Sequence, residues 1–342
     1  MKTLLLRPTY NNGKDYAAQL VDNARYFIRS KHPQRKVWAV FRHALLIGVS
    51  FVILYPLLFM VSNAFRPPAE NFDPSVIWIP KSPTLSNFAD ALEVLQPQEL
   101  IGNTLAVTFG TSVIQAVICL VVGYGFARFR FKGRGILFAL VILTIIVPPQ
   151  NLATSIYASF RYFDFLGILS FLGRITNGAV KPINLIGSYW VSWLPALTGA
   201  GLRSGLYIYM YRQYFTGVPK ELEEAAEIDG CGPYGIFTRI MVPNAKNIIL
   251  AVFLFSIVWN WNDFYTPAMY MQNKPTLAKA LSEFQSNLQM LSSVGGLNYD
   301  PIVVLTRIQA ACLLAILPLL ILYVFTQRYF TESIENTGIT GI

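Results

Sequence analysis

From His43 onward the chain alternates apolar runs of about twenty residues or more with polar stretches, and that run length is what a bilayer's hydrocarbon core demands of a helix. The runs fall at about 43–63, 103–126, 135–159, 185–211, 247–271 and 301–326. They predict an all-α, polytopic membrane protein with six transmembrane helices. Composition agrees: of 342 residues, 54% are apolar and only 13% charged, too apolar for an ordinary soluble domain of this length. Pro56 in the first run is tolerable in a membrane helix, while Pro148 and Pro149 in the third free backbone carbonyls that must face protein or a watery cavity.

The formal net charge of +9 raises the question of nucleic acid, but the basic residues gather at the ends of apolar runs rather than on one polar face. Membrane topology explains them better, and no nucleic-acid partner is expected. Residues 1–42 form an N-terminal arm with nine Lys and Arg against Asp15 and Asp22, and the loop after the second run brings together Arg128, Arg130, Lys132 and Arg134. Both read as cytoplasmic. Counted over the whole topology, eighteen basic residues fall inside and eight outside, an excess on the side that also carries residues 215–243. The opening MKTLLLRPTYNNGKDY has too short an apolar stretch for a cleavable signal peptide, so the first span reads as an uncleaved anchor.

Residues 215–243, FTGVPKELEEAAEIDGCGPYGIFTRIMVP, are a polar, acid-rich island between two apolar runs. The spacing predicts two short helices joined at a glycine break. Pro219 suits a first helical position, Glu221, Glu223 and Glu224 favour the positive end of the dipole, and Gly230 stops the helix. Gly232 and Pro233 restart the chain, with Ile236, Phe237, Ile240 and Met241 on one stripe before Pro243 closes the segment. Leu222, Ala225 and Ala226 make a small apolar face with Glu224 beside it. The string Glu224-Ala225-Ala226, Asp229-Gly230, nine residues, Ile240, one residue, Val242-Pro243 resembles the EAA loop of ATP-binding cassette importer permeases. Cys231 and Val242 stand where that family commonly has a smaller residue and Leu. The phrase Ile79-Pro80-Lys81, then Pro83-Thr84-Leu85-Ser86-Asn87-Phe88, resembles the first external loop of carbohydrate-type members.

The resemblance implies a type I importer permease fold, with residues 43–326 as the transmembrane permease domain, the loop as a cytoplasmic coupling helix and 327–342 as a cytoplasmic C-terminal tail. It implies the bacterial cytoplasmic (inner or plasma) membrane and three partners beyond lipid and a sugar substrate: a homologous second permease, an ABC ATPase dimer, and an extracellular or periplasmic solute-binding protein. The coupling residues it implies are Glu224, Ala225, Ala226, Asp229, Gly230, Ile240 and Pro243. ATP and Mg would be bound by the partner ATPase, since this chain has no G-x-x-x-x-G-K-[ST] phosphate loop of its own.

No cofactor, metal site or catalytic residue is expected in the chain itself. Cys119, Cys231 and Cys312 have no paired spacing, His32 and His43 lie far from any acid cluster, and neither HExxH nor G-x-S-x-G occurs. The distinctive polar string is Trp259-Asn260-Trp261-Asn262-Asp263-Phe264-Tyr265 in the fifth run. Aromatic faces cover the C–H surface of a sugar while amides and carboxylates meet its hydroxyls, which suits a polyol pathway. An aromatic belt at the outer interface accounts for the tryptophans and Tyr265 but not for Asn260, Asn262 and Asp263. Arg203, well inside the fourth run, either faces the pathway or snorkels to the headgroups, and Arg307 reads as a snorkelling anchor. An importer of amino acids, peptides or other solutes would keep the loop without needing the external phrase or the Trp-Asn run. A secondary transporter or channel would need no docking helix and would usually bury more ion-coupling acids.

Overall fold

The computed structural model describes residues 33–177, 179–294 and 300–338, so the predicted N-terminal arm lies largely outside the described residues. Contacts divide the chain into two compact units, Met1–Met60 and Val61–Ile342. The first described helix is α1 (Pro33–Ala64), with Pro56 inside it and apolar side chains exposed along its length. The second unit is helical, and among its described residues the sole β pairing is an isolated bridge between Phe163 and Ile183. Its helices are α2 (Ser86–Leu95), α3 (Pro97–Arg128), α4 (Arg134–Ile146), α5 (Ala153–Arg161), α6 (Ile168–Ile175), α7 (Trp190–Leu197) and α8 (Ser204–Gly217). After these come α9 (Glu221–Ile228), α10 (Pro233–Asn244), α11 (Lys246–Trp261), α12 (Tyr265–Tyr270), α13 (Leu277–Ser282), α14 (Phe284–Ser293) and α15 (Pro301–Gly338).

Helix α3 is the centre of the second unit and packs against α7, α8 and α11. Small residues permit the close approach: a Cβ on Gly123 would stand 2.5 Å from Cβ of Tyr211, and one on Gly110 would stand 2.7 Å from Nε1 of Trp193. Tyr207, Tyr211 and Phe215 of α8 are fully buried in this seam with Cys119. A second cluster joins α2, α13, α14 and α15 through Leu95, Phe284, Leu288 and Ala311.

Three described helices are long and apolar enough to cross a membrane, and five if each of two bent pairs counts as one span. The run at 135–159 breaks at Pro148 and Pro149: the halves Arg134–Ile146 and Pro149–Arg161 meet at 101°. Two prolines in succession remove two backbone donors and bar the residue before them from helical geometry. The run at 185–211, expected as one span, is divided into α7 and α8 by residues 198–203, where Gly199 (φ 71°) and Arg203 (φ 62°) adopt left-handed backbone. The run at 247–271 likewise stops at Trp261 and resumes as α12.

Arg307 is a correction. It does not snorkel; its Nε lies 2.7 Å from Oδ2 of Asp90 and ties α15 to α2. Nearby, Asn87 donates to the carbonyls of Ala64 and Arg66 at 3.0 and 2.8 Å, anchoring the start of α2 on the preceding loop. In that loop Glu70 accepts from the Ser82 hydroxyl and from the amides of Lys81 and Ser82, and the hydroxyl contact above all holds its carboxyl below the ordinary value.

Candidate functional site

The acidic island folds as two helical segments joined at a glycine. Helix α9 carries Glu221, Glu223 and Glu224 in its first turn, where the orphan amides favour negative charge. Gly230 adopts φ 80°, and the N–H of Cys231 reaches back to the carbonyl of Ala226 at 2.9 Å, the closure expected of a left-handed stop. Pro243 does not close the second segment, as the spacing suggests; helical backbone runs on to Asn244. The preceding turn, Phe237–Met241, is wound as a π turn, which accommodates the donor that Pro243 lacks.

The two faces of α9 differ. Glu223 and Ala226, three apart, face the bundle: Ala226 is buried beside Ile236 and Met241, and Glu223 meets Arg128. The Arg128 Nε lies 3.2 Å from Glu223 Oε1, its Nη2 donates to the Val218 carbonyl at 2.7 Å, and the Tyr124 hydroxyl donates to the same carboxylate at 3.1 Å. With side-chain exposures of 7% and 18%, this pair is shielded from solvent on both sides. Glu224, Ala225, Asp229, Gly230 and Pro243 are exposed, and Ile240 packs partly against the seam. The predicted small face is therefore split, since Leu222 and Ala225 turn outward while Ala226 turns inward. Beside them Ile228 and Tyr234 are 86% and 81% exposed, an apolar surface framed by carboxylates. Sequence reasoning missed Arg128 and Glu223; the cation read only as a topological charge, and its partner lies too far along the chain for local spacing to show.

At the other end of α8 and α11 lies a cavity of about 570 Å³. Its walls include Trp259, Asn260, Asn262, Asp263 and Tyr265 from the predicted string, Arg203 from the α7–α8 break, and Pro148, Pro149 and Gln150 from the α4–α5 break. Trp261 is not among them. It follows Trp259 by about 200° around the helix, is buried against α15, and donates from Nε1 to the Ala315 carbonyl at 3.1 Å. Asn260 holds the bundle together: its Nδ2 donates to Gln115 Oε1 (3.1 Å) and to the Ser256 carbonyl (2.8 Å). Gln115, 0% exposed on α3, in turn donates to the Leu202 carbonyl at 2.7 Å and to Ser204 Oγ at 2.9 Å, fixing the break that presents Arg203. A lone glutamine inside an apolar run was the available signal for this hub.

Asp263 is engaged as a cap. Its Oδ1 accepts from the amides of Tyr265 (3.0 Å) and Thr266 (3.2 Å), starting α12. The amide of Asn262 turns back to the Val258 carbonyl at 2.8 Å. The guanidinium carbon of Arg203 stands 4.3 Å from the centre of the Trp259 ring.

Membrane-length helices, two bent pairs and a cavity at the helix breaks define a membrane transport subunit, irregular backbone being tolerated at such depth where it lines a cavity. Residues 119–336 match the family described as binding-protein-dependent transport system inner membrane component, and the chain belongs to that family. It is 28% identical to the arabinooligosaccharides transport system permease protein AraQ of Halalkalibacterium halodurans, over 90% of this chain and 100% of that protein. To the maltodextrin transport system permease protein MdxG of Bacillus subtilis it is also 28% identical, over 86% and 93%. The fold matches a chain of the crystal structure of a bacterial ABC transporter involved in the import of the acidic polysaccharide alginate, with TM-score 0.61 and 19% identity over 88% of this chain and 99% of that one.

Proposed function

We propose that this chain is a permease subunit of an ATP-driven importer of sugars or oligosaccharides, forming half of the translocation pathway with a homologous second permease. A solute-binding protein delivers the sugar on the outer side, and an ABC ATPase dimer docks on the exposed face of α9 inside; both chain termini are cytoplasmic. One observation carries the reading: α8 and α11 both run from the acidic loop to the cavity. Helix α8 begins at Ser204 on the cavity wall and ends at Gly217 before the loop, whereas α11 begins at Lys246 after the loop and reaches the cavity at Trp259 and Asn260. At 1.5 Å per residue these are levers of about 20 Å. Arg128, held at once by Glu223 of the loop and by the carbonyl at the end of α8, fastens loop to lever.

The chain hydrolyses nothing itself. Closure of the ATPase dimer displaces α9, the levers carry that motion to the helix breaks, and the cavity exchanges one opening for the other. Indole and phenol faces at Trp259, Tyr265 and Tyr270 cover the apolar face of a sugar ring, and Gln150, Asn262 and Thr266 offer polar groups to its hydroxyls. Relatives whose names specify arabinooligosaccharides and maltodextrin support that substrate class. The test is uptake in proteoliposomes holding this chain with its partner subunits and binding protein: ATP-dependent accumulation of labelled oligosaccharides is expected, and accumulation of amino acids or peptides instead would overturn the sugar assignment.

A further inference from the structure

The cavity holds two formal charges, and they are compensated very unequally. The carboxylate of Asp263 accepts two backbone amides at the start of α12, as a capping carboxylate does. Among the described residues the guanidinium of Arg203 makes neither an ion pair nor a hydrogen bond; its central carbon stands over the Trp259 ring at 4.3 Å from the centroid. Asp263 is not within ion-pair distance of it, so the two do not cancel. Arg203 also sits at φ 62°, a left-handed conformation that a residue with a side chain rarely adopts. That placement is imposed by the buried Gln115, whose amide holds the carbonyl of Leu202 and the hydroxyl of Ser204 on either side. The chain thus fixes a strained backbone, an oriented side chain and an unspent set of donors at one point on the cavity wall. The sign of the unmet charge there is positive.

We infer that the cavity discriminates in favour of sugars bearing an anionic group, with Arg203 as the specificity-determining residue. This rests on the sugar-importer reading and deepens it. A planar guanidinium presents parallel N–H donors that match a carboxylate or a phosphate ester, and its indole platform holds it in orientation at little further entropic cost. A neutral sugar leaves that charge without a counterion.

The test uses the assembled transporter in nanodiscs, without its binding protein, so that the permease cavity alone is read. Binding of digalacturonate, galactose 6-phosphate and digalactose is measured by calorimetry at low and high salt. At least one anionic probe is expected to bind about tenfold or more tighter than digalactose, with the preference shrinking as salt rises, and the better of the two identifies carboxylate or phosphate as the source. Arg203→Gln is expected to abolish the preference, and Arg203→Lys to keep part of it. Equal binding of all three probes, or a preference that survives Arg203→Gln, overturns the inference. If Arg203→Gln does not assemble, wild-type competition between digalacturonate and digalactose still decides it. A transporter that accumulates neutral sugars but shows no anionic preference removes this inference alone, whereas one that accumulates no sugar removes the importer reading as well.

Discussion

The two ends of the α8–α11 pair treat charge in opposite ways. At the loop end Arg128 is shielded from solvent, paired with Glu223 and bonded to the Val218 carbonyl, while Tyr124 donates to the same carboxylate. At the cavity end Arg203 faces open space with only an aromatic ring beneath it. A shielded ion pair resists rearrangement because separating it strands a charge with little access to water. An unsatisfied cation on a cavity wall awaits a partner from outside. Under the proposed function, the difference assigns the loop end the part of a joint and the cavity end that of a surface open to solute.

Breaking the joint gives the largest expected effect. Arg128→Ala leaves the partly buried Glu223 without its counterion and is expected to cost about 3 kcal/mol, the lower end for a shielded pair, read as a lowered melting temperature of the detergent-purified subunit. Arg128→Ala with Glu223→Gln should recover part of that loss, and a double change no milder than the single would show that the pair is not the joint.

Breaking the hub between the ends comes next. Gln115→Leu strands the Ser256 hydroxyl and frees the Leu202 carbonyl, each unsatisfied group costing about 1–3 kcal/mol. The expected outcome is a destabilised protein in which hydrogen exchange accelerates at residues 198–206 and not in α9. Exchange that rises equally in both regions would mean that the two ends are not separable.

Glu224→Lys sharpens the comparison from the exposed side. Glu224 lies on the outer face of α9, so yield and melting temperature should stay unchanged while sugar uptake falls at least tenfold and ATP hydrolysis persists. The smallest effect is expected at Asp263: Asp263→Ala removes a helix cap worth about 1 kcal/mol, whereas Asp263→Asn should be nearly neutral in thermal melting. A large loss on Asp263→Asn would show that its charge, rather than its capping geometry, matters.

The loop was legible because its information is local. Proline at one end, acids in the first turn and a glycine stop all act within a few residues, and Gly230 adopts the left-handed backbone its position requires. The polar string at 259–265 was legible as chemistry but not as geometry. Two residues of helix carry Trp261 from the cavity to the α15 side, where Ala315 accepts its N–H. The division of the 185–211 run was announced only faintly by Pro195, Gly199 and Gly201, because apolar content alone cannot tell a broken span from a whole one. Arg128 with Glu223, and Gln115 with Ser256 and Asn260, were invisible since each joins positions about a hundred residues apart or more.

The central claim is that motion of α9 reaches the cavity through α8 and α11. It is tested by an environment-sensitive fluorophore at Asn262→Cys, on the exposed cavity wall, in a background where Cys119, Cys231 and Cys312 are replaced by Ala. In the assembled transporter ATP is expected to shift the emission when Glu224 is present and to leave it unchanged in Glu224→Lys. The same ATP-dependent shift in both proteins would contradict it.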